Sequence, residues 1–374
     1  MKQPKIAIVH DYLNQYGGAE KVLEAISESY PDAPIYTSIY DREKLRNLGF
    51  EEAGKKVITG FTQKLPFRNI LPRYYLTPFY PFVFLSFDFS NYDIIISSSS
   101  FAAKYLRKKK AVHICYCHTP PRFLWGFDTD INIDSMRFFE RPIARACQRF
   151  LRKLDFYMAQ KVDLFLTNSE NVKKRIEKVY SRDSKVVYPP IDTDRFDLKK
   201  AKIGDYFLIV SRLGEYKKID IVINVFNKLK LPLKIIGEGS QFEKLKKNAN
   251  KNIEFLGSIP SKEIDKYYLE CKAFIMVTDE DFGIAPVEAL AAGKSVLAYR
   301  GGGVLESVVS GETGEFFSQQ TESSLLAALK KFDPLKYSPE KCKERAQKFS
   351  KRNFKEKLEK IVNDLWEKQA KTFL

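Results

Sequence analysis

Cysteine is scarce, with five in 374 residues, and those five at 115, 117, 147, 271 and 342 form no paired framework. A small disulfide-held secreted scaffold is therefore excluded. Cys115 and Cys117 sit in a predicted strand with both side chains on one face, and neither their spacing nor their company fits a zinc site. Buried, reduced thiols are expected. The chain also lacks a long apolar run. Its longest uncharged aromatic stretch, Tyr74 to Phe87, contains Pro78 and Pro81 and falls short of the ~20 residues a membrane span needs. No apolar segment with a small-residue cleavage site marks the N-terminus, so a cytoplasmic location is expected. No complete GxGxxG follows the first predicted strand, which argues against a nicotinamide or flavin oxidoreductase. Tandem repeats and low-complexity tracts are missing too.

What the chain has is length, apolar content and positive charge. Its 374 residues predict two domains, and 44% apolar residues are enough for packed cores. A net charge of +16 calls for an acidic partner: nucleic acid, an anionic membrane face or a phosphorylated substrate. Predicted strands at 5–9, 34–39, 93–98, 112–117, 163–167 and 185–188 alternate with helices, as do strands at 206–211, 232–236, 253–256, 273–277 and 294–298. This alternation predicts doubly wound α/β domains. The stiff segment Pro189-Pro190-Ile191-Asp192 divides the two sets, giving domains 1–190 and 191–350.

The stretch from Glu280 to Gly293 carries the most chemistry. Seven residues separate Glu280 from Glu288, and Pro286 suits the first turn of a helix. Glu280 then lies on a loop and Glu288 on the helix. The unbonded N–H groups of Gly283, Ile284 and Ala285 would face a phosphate. Alone, the two glutamates read equally well as an acidic surface loop capping a helix. Ser211-Arg212-Leu213 closes a predicted strand and Lys217 follows, so two cations approach the carboxyl edge of a parallel sheet, where such folds bind ligands. Gly17-Gly18 stands between a strand and a helix, and His118 just past another strand. The paired glycines also fit an ordinary turn, and a lone histidine is more often structural; His10 and His113 are read so.

Taken together, these motifs resemble the retaining nucleotide-sugar glycosyltransferases of the GT-B fold, family 4, and within them the bacterial mannosyltransferases of O-antigen and exopolysaccharide assembly. The resemblance runs nearly end to end. It rests on Gly17-Gly18-Ala19-Glu20, Cys117-His118-Thr119-Pro120-Pro121-Arg122, Asn168-Ser169, Tyr188-Pro189-Pro190, Ser211-Arg212-Leu213 with Lys217, Gly237-Glu238-Gly239, the two glutamates and Gly301-Gly302-Gly303. It implies two Rossmann-like domains facing across a cleft, with the 351–374 helix packing back on the first. It also implies transfer of a sugar, mannose from GDP-mannose, to a lipid-linked glycan in surface polysaccharide (lipopolysaccharide) synthesis. A UDP- or dTDP-sugar donor or a soluble acceptor is the alternative.

By the same resemblance, Arg212 and Lys217 would stabilise the leaving diphosphate, Glu280 would hold donor-sugar hydroxyls and Glu288 the ribose. His118 would position the sugar. Gly17, Gly18, Ser211, Gly237, Phe282, Gly283, Ile284 and Ala285 would line the donor, and Asp11 would touch the acceptor. No cofactor or metal is expected: Asp128-Thr129-Asp130 and Asp192-Thr193-Asp194 spell a metal-binding string, but neither follows a strand. No nucleic-acid module interleaves the basic residues, so a basic nucleic-acid-binding protein is the rival from another class.

Two further features predict an enzyme peripheral to the inner face of the cell membrane, acting on a polyprenyl-diphosphate-linked acceptor. Aromatics crowd 61–92 (Phe61, Phe67, Tyr74, Tyr75, Phe79, Tyr80, Phe82, Phe84, Phe87, Phe89) among Lys64, Arg68 and Arg73. Downstream, Arg137, Arg141, Arg145, Arg149 and Lys153 recur every four residues. The competing expectation makes the aromatics core and the stripe a solvated face.

Overall fold

A computed structural model describes residues 3–45, 50, 54–65, 77–127, 133 and 136–372. The chain divides into two compact units, Met1–Pro190 with Phe354–Leu374, and Ile191–Asn353.

The first unit is built on a seven-stranded sheet, order β3-β2-β1-β4-β5-β6-β7. Its strands are β1 (Ile6–His10), β2 (Ile35–Thr37), β3 (Val57–Thr59), β4 (Ile94–Ser99), β5 (Val112–Cys117), β6 (Leu164–Thr167) and β7 (Ser184–Val186). All pairings are parallel. Such a sheet is covered on both faces, so its central strands are apolar throughout rather than alternating. Successive residues still point to opposite sides. Ile8, Ile94, Ile96 and Ile114 pack with Val22, Leu23 and Ile26 of the Gly18–Ser29 helix. Ala7, Val9 and Ile95 face Phe84, Phe89, Tyr105 and Leu151 on the other side.

The Lys351–Thr372 helix brings Phe354, Leu358 and Val362 into the first of these cores. Their spacing of four puts all three on one stripe, and each buried side chain stabilises by roughly 1.5–3 kcal/mol. Lys355 pairs with Glu28 at 2.6 Å on the rim.

The second unit carries a six-stranded sheet, order β10-β9-β8-β11-β12-β13. Its strands are β8 (Phe207–Val210), β9 (Leu233–Ile236), β10 (Ile253–Gly257), β11 (Ala273–Met276), β12 (Val296–Tyr299) and β13 (Gly314–Phe317), again all parallel. In each sheet the strand order reverses once, at β1/β4 in the first and at β8/β11 in the second. Doubly wound sheets take ligands at such a point, past the carboxyl ends of the strands. The second sheet therefore places Arg212, Lys217 and Glu280 at its reversal point. The first places His10, Ser98 and His118 at its own.

Candidate active site

In the second unit, β8 runs into Ser211-Arg212-Leu213, a short 3-10 turn at Glu215–Lys217, and then the Ile219–Leu229 helix. Lys217 is buried, with 6% of its surface exposed. Its Nζ donates to Glu280 Oε1 on the loop after β11, and its carbonyl accepts from Thr278 Oγ1 at 2.9 Å. Lys218 turns away, donating to Gln320 Oε1 at 2.7 Å. Arg212 is exposed and donates from Nη2 to Tyr216 Oη at 3.3 Å. No carboxylate among the described residues pairs with it.

Glycines let backbone touch backbone around these loops. Gly302 has φ +71°, and a Cβ there would lie 2.3 Å from Glu280 O and 2.5 Å from Asp279 Oδ1. Gly303 N–H donates to Glu280 O at 2.9 Å. Gly301-Gly302-Gly303 thus holds the loop that presents Glu280. Gly237 has φ +136°, and a Cβ would meet Ser211 O at 1.9 Å. Its close approach is to the Ser211 backbone, while Ser211 Oγ donates to the Arg212 carbonyl at 3.0 Å.

Phe282 is buried and packs on Phe349, centroids 5.4 Å apart. Its ring therefore anchors the loop rather than facing outward. Gly283 caps the Ile284–Ala291 helix, and Ile284 and Ala285 stand half-exposed in its first turn. Their N–H groups have no intrahelical partner.

Glu288 is buried, with Tyr268 Oη donating to Oε2 at 3.0 Å and Arg195 Nη2 lying 3.1 Å from Oε1. Arg195 Nε lies 3.0 Å from Asp265 Oδ1. Burial first, and Glu288 next, raises the Tyr268 pKa well above the ordinary phenol value, so the phenol stays a donor. Sequence reasoning missed Arg195, Tyr268 and Asp265. The available signal was an arginine set directly after Asp192-Thr193-Asp194. That string holds the chain in place: Gln347 accepts from Thr193 Oγ1 at 3.1 Å and donates to Asp194 Oδ1 at 3.1 Å. Asp128 and Asp130 lie outside the described residues. Among the described residues no group of three or more His, Cys, Asp or Glu is arranged to hold a metal ion.

In the first unit, Asp11 faces inward. Its carboxylate accepts four backbone N–H bonds, from Ser100 (2.5 Å), Phe101 (2.9 Å), Ala102 (2.8 Å) and Ala103 (2.6 Å). An ionised carboxylate has about four acceptor positions. The loop fills all of them, so the expected contact to an acceptor hydroxyl gives way to holding the 100–103 turn. Gly17 N–H is likewise taken by Glu20 Oε2 at 2.8 Å, which leaves Gly18, at the start of the helix, as the glycine whose N–H can meet a ligand.

His118 is half-buried. Its Nε2 lies 2.8 Å from Ser98 Oγ, and its carbonyl accepts from Asn168 Nδ2 at 2.9 Å. Burial, with His10 as the second cause, lowers its pKa to about 3, so the imidazole is neutral near pH 7. His113 is buried against Ser97 at 2.7 Å and is lowered to about 3, chiefly by burial. The Cys115 thiol is pushed up to about 12 by burial and is no nucleophile at neutral pH.

The basic stripe divides. Arg141, Arg145, Arg149 and Lys153 lie on the Arg141–Gln160 helix, and Arg137 precedes it. Asp155 fixes that helix to the core, taking hydrogen bonds from Lys104, Tyr105, Trp125 and Tyr180. Of the aromatic segment, Tyr80, Phe84 and Phe89 are core, whereas Phe61, Phe79 and Phe82 are exposed. Phe67, Arg68, Arg73, Tyr74 and Tyr75 lie outside the described residues.

Residues 16–195 match the family described as Glycosyltransferase Family 4, and residues 190–349 match Glycosyl transferases group 1. The Dictyostelium discoideum alpha-1,3/1,6-mannosyltransferase ALG2 is 25% identical, over 97% of this chain and 99% of that protein. A Mycolicibacterium smegmatis GDP-mannose-dependent alpha-(1-6)-phosphatidylinositol monomannoside mannosyltransferase is 30% identical over 34% of this chain and 41% of that protein. Among solved structures, a sucrose-phosphate synthase from Thermosynechococcus elongatus superposes with TM-score 0.75 at 14% identity, covering 97% of this chain and 99% of that one.

Proposed function

This chain belongs to the family 4 glycosyltransferases of the GT-B fold and is a hexosyltransferase, and from that premise we propose that it moves mannose from GDP-mannose to a lipid-linked glycan with retention of configuration. The contact between Lys217 and Glu280 at the reversal point of the second sheet carries this reading. As a nucleoside diphosphate leaves an anomeric carbon, negative charge grows on its phosphate. Fixed cations aimed there stabilise the transition state more than the ground state. Lys217 is held in place by Glu280 and Thr278, and among the described residues Arg212 bonds to the Tyr216 hydroxyl rather than to a carboxylate.

Glu280 has a half-exposed carboxylate at the reversal point, where it would meet sugar hydroxyls, and Glu288 would accept from the ribose alongside Arg195 and Tyr268. The first-turn N–H groups of Ile284 and Ala285 suit the diphosphate. In the first unit, His118 carries a neutral imidazole at the reversal point of its own sheet. No metal has a part in this reading, because the charge on the diphosphate is met by Arg212, Lys217 and backbone.

Mannose as the sugar is supported by the activities of the mannosyltransferase relatives, and GDP as the carrier by the GDP-mannose-dependent one. A lipid-linked acceptor at an anionic membrane face is supported by the exposed cations and aromatics of the Arg141–Gln160 helix. Among the described residues no helix is long and apolar enough to cross a membrane.

The test is turnover with GDP-mannose, UDP-sugars and dTDP-sugars, followed by NMR of the product and repetition in EDTA. We expect GDP-mannose to be preferred, the α configuration to be kept and EDTA to be tolerated. An inverted product, or activity restored only by manganese, would overturn the mechanism. Preference for a UDP- or dTDP-sugar would overturn the donor assignment.

A further inference from the structure

We propose that Glu20, His10 and Ser98 are positioning residues that hold the proton of His118 on Nε2, so that His118 presents Nδ1 as a hydrogen-bond acceptor. The four side chains come from four separate elements: the Gly18–Ser29 helix, β1, β4 and the loop after β5. They form one chain of contacts. Glu20 Oε1 lies 3.7 Å from His10 Nε2, His10 Nδ1 lies 3.1 Å from Ser98 Oγ, and Ser98 Oγ lies 2.8 Å from His118 Nε2. Glu20, His10 and Ser98 are each at most 2% exposed.

Proton counting gives the chain a direction. A carboxylate only accepts, and a neutral imidazole has one N–H and one lone pair. The Glu20 contact is longer than a hydrogen bond, yet in a buried setting its charge favours the proton on the facing nitrogen, His10 Nε2. With a single proton on the ring, His10 Nδ1 is then the lone pair and accepts from the Ser98 hydroxyl. Serine has a single proton, so toward His118 it can only accept. His118 must supply the hydrogen from Nε2, and its burial keeps the ring neutral. Nδ1 is left bare.

The consequence is a choice of ligand atom. A bare nitrogen accepts from a hydroxyl and repels an anionic oxygen, so this position selects a sugar hydroxyl over a phosphate. Only the identity of that hydroxyl rests on the glycosyltransferase reading. The same Glu20 carboxylate also takes the Gly17 N–H at 2.8 Å. One buried group therefore sets both the glycine loop and the histidine tautomer.

The chain has three histidines, which makes long-range 1H–15N spectra of 15N-histidine protein assignable. In the wild type we expect His118 to show a protonated Nε2 and an unprotonated Nδ1. In Ser98→Ala the two His118 nitrogens should move toward the averaged positions of an exchanging ring. Turnover should drop about tenfold, the size of one net hydrogen bond, with the KM for the donor nearly unchanged. A wild-type His118 that carries its proton on Nδ1, or on both nitrogens, overturns the proposal, as does a Ser98→Ala spectrum identical to wild type. The wild-type spectrum decides even if the variant fails to fold. It is also independent of activity, so a failed donor assay would remove the transferase reading and leave the tautomer standing.

Discussion

Lys217 and Glu280 stand 63 residues apart in sequence and meet side chain to side chain, the lysine Nζ donating to the glutamate Oε1. Lys217 has 8% of its side chain exposed and Glu280 32%. Neither residue is placed by its own element alone. Lys217 ends the turn after β8, and Glu280 is held on its loop by Gly302 and Gly303.

Lys217→Ala should lower turnover about 100-fold or more, since removing one preorganised contact to developing charge costs about 3–4 kcal/mol. Thermal stability should fall only modestly. Glu280 would lose its contact to Lys217, but solvent reaches a third of its side chain and screens its charge. Turnover equal to wild type would remove Lys217 from the mechanism.

Two glycines of similar backbone separate the role of Gly302 from generic strain. Gly302 (φ +71°) and Gly311 (φ +80°) both occupy the left-handed region, but only Gly302 has atoms in the way of a Cβ. Gly311→Ala should cost about 1–2 kcal/mol by denaturant unfolding and leave turnover intact. Gly302→Ala should cost more and also cut turnover, because its Cβ displaces Glu280. Equal effects in the two variants would show that the glycine triplet does not hold the catalytic loop.

The architecture was legible because near-continuous apolar runs such as Ile94-Ile95-Ile96 and Phe274-Ile275-Met276 alternate with amphipathic helices. β3 and β13 were not. The first has three half-buried residues at a sheet edge, and the second opens on glycine and carries Glu315, so the apolar run in each is only two residues long and does not read as a strand. Lys217 and Glu280 were picked out as single residues, yet sequence could not show that they touch. Asp11 and Glu288 show a further limit. Spacing names a carboxylate, but only the fold reveals that four backbone N–H groups fill the first and that Arg195 and Tyr268 hold the second. His10 reads as structural in the sequence because a lone histidine usually is, whereas in the fold it links Glu20 to Ser98.

Acid should destabilise the fold through its buried histidines. His113 is lowered from 6.5 to about 3 when folded, so the unfolded chain binds the proton more readily between those values. Stability then rises with pH across that window and is lost as pH falls from about 6.5 toward 3. The slope is at most about 1.4 kcal/mol per pH unit for each such group. His113→Gln keeps a polar partner for Ser97 and removes the titration. We expect a shallower loss of stability for it between pH 6 and 4, measured by urea unfolding. An unchanged slope would mean that His113 does not titrate in this window.

Membrane attachment is the prediction with the broadest surface behind it. On the Arg141–Gln160 helix Arg145, Arg149 and Lys153 are exposed. Ile143 (73%), Phe150 (57%) and Tyr157 (57%) are exposed with them, and Phe138 (80%) and Phe139 (55%) stand just before the helix. A merely solvated face would not need so many exposed aromatic and aliphatic side chains among its cations, whereas a bilayer interface favours both. Each cation near an anionic leaflet contributes about 1 kcal/mol, and salt screens that attraction. The apolar side chains would not respond to salt. Flotation should therefore show binding that requires anionic lipid, weakens in high salt and falls sharply in Arg145→Glu/Arg149→Glu. Phe150→Ser/Tyr157→Ser should weaken binding while leaving its salt dependence in place. Equal recovery in the soluble fraction with and without anionic liposomes would remove the membrane as a partner. Turnover on a water-soluble acceptor analogue should be unchanged in both double variants, because neither touches Lys217, Glu280 or His118.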